Sequence, residues 1–171
     1  MPVIRVTCPE NTLTAEQKEK LAPLLLDAEV RQEVEPVTNE ARAVASIWFN
    51  EIPLRNCFPS KEPFWLVEMM TPAGFFTQAR RDAVQAAITK AFTSVLGDDG
   101  ASTVLNGVRI APAYLARLYS LFIEIPEGSF AAGGAPLSAL EVGHLIGSDK
   151  DPQRWSELKE NTAKLTAARP S

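Results

Sequence analysis

Pro2-Val3-Ile4-Arg5-Val6-Thr7-Cys8-Pro9, followed by Thr14-Ala15-Glu16-Gln17-Lys18, is the stretch from which the fold can be read. The alternation from Val3 to Thr7 predicts a strand, and Thr14 with Gln17 has the spacing of a capping box that opens a helix. The same order returns later as Leu66-Val67-Glu68-Met69-Met70-Thr71-Pro72 followed by Thr77-Gln78-Ala79-Arg80-Arg81, at a constant shift of 63 from Thr14 to Thr77. Each half then closes on one tripeptide, Glu51-Ile52-Pro53 and Glu124-Ile125-Pro126, now at a shift of 73. The chain is therefore an internal duplication of a strand-helix-strand unit, with ten extra residues in the second copy ahead of its closing strand.

In the first predicted helix Leu21, Leu24, Leu25 and Ala28 form one apolar face, and Pro23 should kink it. Val84, Ala87, Ile88, Ala91, Phe92 and Val95 make the stripe of the second, which stops at Gly97. Closing strands are expected over Ala43 to Ile52 and about Ala116 to Ile125. Two such units need crossover connections and so contain parallel pairs. The predicted class is α+β, a two-layer sandwich with a four-stranded mixed sheet under two helices. The domain reading is a body over 1–135, made of repeats at about 2–62 and 63–135, and a helical extension over 136–171. In that extension Leu137 to Ile146 suits a short helix, and Asp151-Pro152 starts another that carries Trp155, Leu158, Thr162 and Leu165.

Composition narrows the partners. The 171 residues hold 17 basic and 21 acidic side chains, a formal charge of −4, with no basic stripe interleaved with aromatics, so nucleic acid is not an expected partner. No run approaches the length of a membrane span, and Cys8 and Cys57 make neither a disulfide framework nor a metal motif with the single His144, which reads as a surface or capping residue. A soluble cytoplasmic protein without metal or organic cofactor is expected. Gly97-Asp98-Asp99-Gly100-Ala101-Ser102 reads as a loop, since it lacks the lysine and helix start of a phosphate cradle.

Chemistry centres on Pro2. If Met1 is removed, Pro2 becomes a secondary amine fixed to a strand end, and an apolar setting would keep it neutral and basic. A retained Met1 would make the same nitrogen an amide. As a plain edge-strand residue Pro2 would also cost nothing, because no N–H is needed there.

These residues, with Glu124-Ile125-Pro126-Glu127-Gly128-Ser129-Phe130 and Gly133-Gly134, resemble the tautomerase superfamily, the group of 4-oxalocrotonate tautomerase, macrophage migration inhibitory factor and cis-3-chloroacrylic acid dehalogenase. The resemblance covers about residues 2 to 135. It implies a homotrimer whose amino-terminal proline moves a proton between oxygen and carbon of a small enol or dienol 2-oxo acid. It also implies Tyr119 as a catalytic hydrogen-bond donor, in the place of an active-site tyrosine or arginine, and Phe130 as a pocket wall. Glu29 falls where the dehalogenase has an active-site histidine. Arg117, two residues from Tyr119 and expected on the same strand face, is the candidate for a substrate carboxylate. Tyr119 also suits a wall aromatic, and Arg117 a solvated or intersubunit charge. Ala73 and Phe76 stand where the dehalogenase carries arginines, which disfavours dehalogenation of a small haloacid, and Thr12 stands where 4-oxalocrotonate tautomerase carries one; Phe75, Phe76 and Trp48 suggest a bulkier, more apolar acid. Two other readings stay open: a trimeric ligand-binding or interaction protein without turnover, and a hydratase or decarboxylase of a small oxo acid in which Glu29 would activate water.

Overall fold

A computed structural model describes residues 3–58 and 62–167. Strand β1 (Val3–Pro9) leads to helix α1 (Ala15–Glu33), a short helix α2 (Asn39–Val44) and strand β2 (Ser46–Ile52); the second unit is β3 (Trp65–Pro72), α3 (Gln78–Leu96) and β6 (Leu118–Ile125). Between α3 and β6 lies a hairpin, β4 (Thr103–Leu105) and β5 (Val108–Ile110), and beyond β6 come a ribbon, β7 (Ala131–Ala132) and β8 (Ala135–Pro136), and two helices, α4 (Ala139–Ile146) and α5 (Pro152–Ala167). The main sheet has the order β2-β1-β3-β6. Each unit pairs its own strands in parallel, and the two units meet antiparallel across β1 and β3. The expected mixed sheet of four strands under two helices is thus present.

Both main helices begin as their sequences dictate. The Thr14 hydroxyl accepts from the Gln17 N–H while the Gln17 side chain accepts from the Thr14 N–H, and Thr77 accepts from the Arg80 N–H. Helix α1 continues through Pro23, whose ring lies on the exposed side, where the lost donor leaves a carbonyl to water. Two boundaries differ from the sequence expectation. The stretch from Ala43 does not enter the closing strand at once, because Thr38 caps α2 and β2 starts only at Ser46. Likewise Ala113–Arg117 forms a 3-10 turn behind Pro112, and β6 starts at Leu118.

Alternation decides what the sheet buries. Ile4, Val6 and Cys8 of β1 and Trp65, Val67 and Met69 of β3 face the helices and join Leu21, Leu25, Val84, Ile88 and Phe92 in one core. Val142, Ile146 and Leu158 of the C-terminal helices belong to that core too. The opposite face carries Arg5 and Glu68, a bidentate pair at 2.6 and 2.7 Å, beside the exposed Trp48, Tyr119, Leu121 and Ile123. No helix among the described residues is long and apolar enough to cross a membrane.

Candidate active site

Because β1 and β3 are antiparallel, the first residue of β1, Val3, lies opposite Met70 near the end of β3. Helix α1 returns along the sheet between parallel β1 and β2, so its last turns come back over the start of β1. Its row of residues at intervals of four runs Leu21, Leu25, Glu29, Glu33, and all four are buried. Two carboxyl groups are thereby placed where the helix would otherwise carry leucines. The Thr71 hydroxyl donates to Glu33 Oε1 at 3.0 Å. Neither oxygen of Glu29, which is fully buried, has a hydrogen-bond partner among the described residues. Burial pushes the Glu29 carboxyl well above the usual carboxylate range, and the neighbouring Glu33 pushes it the same way. Burial and Glu33 thus favour the acid form of Glu29.

The C-terminal helices seal this end of the molecule. The Ser148 hydroxyl donates to the Glu33 carbonyl at 2.9 Å, Arg80 Nη1 to the Gln32 carbonyl at 3.0 Å, and Arg154 to the Arg31 carbonyl. The carbonyls at the end of α1, which lack partners within the helix, are satisfied in this way. Arg80 also pairs with Glu157 at 2.6 Å, and Asn161 Nδ2 donates to the Gly74 carbonyl at 3.0 Å. The Ala73–Phe76 turn under α5 is buried and carries no charged side chain.

The other residues singled out in the sequence are spread over the chain. Pro2 lies outside the described residues. Tyr119 is on the open face of β6 opposite Leu66, 53% exposed, on the other side of the sheet from Glu29. It is also about 13 Å of strand away from Met70. Arg117 does not share that face: it ends the 3-10 turn ahead of β6, where its guanidinium donates to the Pro63 carbonyl at 2.8 Å and pairs with Glu62. Phe130 is half-buried against the edge of the core beyond β6. His144 is an exposed surface residue paired with Asp149 at 2.7 Å. Within one chain, Glu29 is the residue of this set found beside the start of β1. Glu33 and Thr71 were missed by sequence reasoning, although the spacing of four from Leu21 and Leu25 through Glu29 was the signal for Glu33. A groove of about 380 Å³ between α1 and α3, lined by Leu24, Ala28, Lys90 and Ala91 among others, includes none of these residues.

No protein-family model and no curated protein matches the chain. Solved structures do. A fused 4-OT, described as a wild-type asymmetric trimer, matches with a TM-score of 0.60 at 23% identity, over 82% of this chain and 98% of its own. Pt0534, inactivated by 2-oxo-3-pentynoate, gives 0.58 at 20% over the same shares. Macrophage migration inhibitory factor of Toxoplasma gondii gives 0.56 at 16%, over 79% of this chain and 99% of its own. The chain has the fold shared by these proteins.

Proposed function

We propose that this protein is a cofactor-independent tautomerase that moves a proton between oxygen and carbon of a small enol 2-oxo acid, with Pro2 as base and acid once Met1 is removed. The observation that carries this reading is Glu29, a fully buried carboxyl group with no hydrogen-bond partner among the described residues, beside the start of the strand that Pro2 precedes. The fold it shares with 4-OT structures supports the reaction class.

In the proposed reaction the Pro2 nitrogen takes the enol O–H proton and returns a proton to the adjacent carbon. Glu29 donates a hydrogen bond to the oxygen while it carries negative charge, a contact worth most where water is excluded. The burial that favours the acid form of Glu29 also disfavours the ammonium form of a neighbouring amine, and so favours a basic nitrogen. Tyr119 and Phe130 enter this reading from a neighbouring copy. The fused 4-OT structures are described as trimers, and we extend that assembly to this chain. Arg117, held by Glu62 and Pro63, is left out of the reaction. Hydration is the less favoured chemistry, because activating water needs an ionised carboxylate and burial pushes Glu29 towards its acid form. The buried Ala73 and Phe76, in place of cations, favour the alternative of a binding protein without turnover.

The test is ketonisation of phenylenolpyruvate, followed by ultraviolet absorbance, on protein whose intact mass shows Met1 removed. Pro2→Ala should lower kcat/KM by about 10²-fold or more, and Glu29→Gln by about tenfold or more. Equal background rates in all three proteins would overturn the reading. The nucleophilic amine is checked separately with 2-oxo-3-pentynoate, a conjugated alkyne that should add one equivalent of mass to the amino-terminal peptide of the processed protein and none where Met1 is retained.

A further inference from the structure

Glu33 is anchored at both its carboxyl group and its backbone. It lies one turn beyond Glu29 on α1 and is buried. The Thr71 hydroxyl donates to its Oε1 at 3.0 Å and the Ser148 hydroxyl to its carbonyl at 2.9 Å, so β3 and the C-terminal extension fix side chain and main chain together. Thr71 is itself fully buried and shares the helix side of β3 with Trp65, Val67 and Met69. It directly follows Met70, the register partner of Val3.

We propose that Glu33, positioned by Thr71, is the counter-ion of Pro2, and that its carboxylate stabilises the ammonium formed when the Pro2 nitrogen takes the enol proton. Carried one step back from Val3, the antiparallel register sets position 2 against Thr71, and so beside the carboxyl group that Thr71 holds. The inference rests on the tautomerase reading and adds the group that lets a buried amine accept a proton. Burial alone leaves such an amine unprotonated but a reluctant acceptor, and an opposite charge fixed beside it offsets that reluctance. The two carboxyl groups divide their roles by their partners. Neighbouring carboxylates do not readily both ionise; the Thr71 hydroxyl serves the charge on Glu33, whereas Glu29, with no partner among the described residues, takes the proton. In the cycle the enol proton passes to the nitrogen, Glu29 donates a hydrogen bond to the oxygen left negative, and the ammonium returns its proton to carbon. Glu33 gains and loses none. The other charges packed around it have partners of their own. Arg80 of α3 donates to the Gln32 carbonyl and pairs with Glu157, and Arg154 of α5 donates to the Arg31 carbonyl and pairs with Asp151 at 3.1 Å. Asp149, next to Ser148, pairs with His144, and Glu68 of β3 pairs with Arg5 on the opposite face of the sheet.

The test reads the amine itself rather than turnover. 2-Oxo-3-pentynoate adds to the free amine and not to the ammonium, so its rate of labelling the amino-terminal peptide of the full chain, processed at Met1 and followed across neutral pH, gives the pH at which Pro2 loses its proton. Glu33→Gln keeps an acceptor for Thr71 but removes the charge, and should lower that midpoint by about one pH unit or more. Thr71→Val should lower it by less, and Thr71→Ser should keep the wild-type value; this second pair decides the matter if Glu33→Gln does not fold. Glu29→Gln should move the midpoint less than Glu33→Gln does. An unchanged midpoint in Glu33→Gln, or in Thr71→Val, or a larger shift in Glu29→Gln, would overturn the counter-ion and leave the tautomerase reading standing if the wild type ketonises phenylenolpyruvate. Labelling with the expected shifts but no ketonisation would keep Glu33 as the partner of Pro2 and sink the reaction. A processed wild-type chain that is not labelled at any pH overturns both.

Discussion

Glu29 is fully buried with no hydrogen-bond partner among the described residues, so its charge state is bound up with folding. Burial holds its pKa in the folded protein well above the ordinary glutamate value of about 4.5. At pH values between those two the folded state holds a proton that the unfolded chain has released. Its favourable contribution is thus fully present below about pH 4.5 and is lost as pH rises through the folded pKa. Thermal midpoints measured at constant ionic strength should fall as pH is raised above about 5, and Glu29→Gln, which stays neutral, should flatten that fall. Parallel slopes in both proteins would show that Glu29 is ionised or solvated. Arg5 and Glu68 work in the opposite sense: the Arg5 hydrogen bond holds the Glu68 carboxyl below its usual range. That contribution is present above about pH 4.5 and fades on acidification. Position 29 could be picked from the sequence, but its burial could not, because a glutamate near a helix end is ordinarily solvated. What reverses the expectation is the C-terminal extension, which covers α1 from outside the repeat.

At the scale of elements, that extension packs through a glycine. A Cβ added at Gly143 of α4 would lie 2.6 Å from Leu158 Cδ2 and 3.1 Å from the Trp155 ring, so any larger residue there must displace side chains of α5. Gly143→Val should cost about 1–3 kcal/mol through overpacking, read as a lower urea midpoint with an unchanged slope. An unaltered midpoint would mean that α5 is not docked on α4 in solution. The duplicated units were legible because capping residues, apolar stripes and closing tripeptides recur in order. The hairpin was not foreseen, although Asn106-Gly107 between Val104-Leu105 and Val108-Arg109-Ile110 is a strong short-range hairpin signal. Both central residues have positive φ, 50° and 80°, as a type I′ turn requires. The late starts of β2 and β6 escaped for a different reason: β-branched and aromatic content marks a strand, but Thr38 as a helix cap and Pro112 ahead of a tight turn override it locally.

At the scale of the whole molecule, the described residues pack helices on one face of the sheet and leave apolar side chains of the other face exposed. A two-layer domain normally covers both sides of the apolar surface it builds, yet Trp48, Tyr119, Leu121 and Ile123 remain between 38% and 53% exposed around the Arg5–Glu68 pair. Those two charges satisfy each other in the plane of the face, so that face presents apolar side chains without an unmatched charge. A second copy of the chain is the occupant that the proposed trimer supplies, and covering four large apolar side chains per subunit would stabilise it by several kcal/mol, at about 1.5–3 kcal/mol for each fully buried side chain. Leu121→Asp places an unpaired carboxylate at the centre of that surface. It leaves the helix-side core untouched, because residue 121 points away from it. Sedimentation at micromolar concentration should show the wild-type chain at three times its monomer mass, and Leu121→Asp at the monomer mass with its helical circular dichroism intact. A wild-type monomer would remove the trimer and, with it, the delivery of Tyr119 and Phe130 from a neighbour. A trimer that survives the substitution would place the subunit contact elsewhere, with the apolar hairpin tip of Val104, Leu105 and Val108 as the next surface to alter.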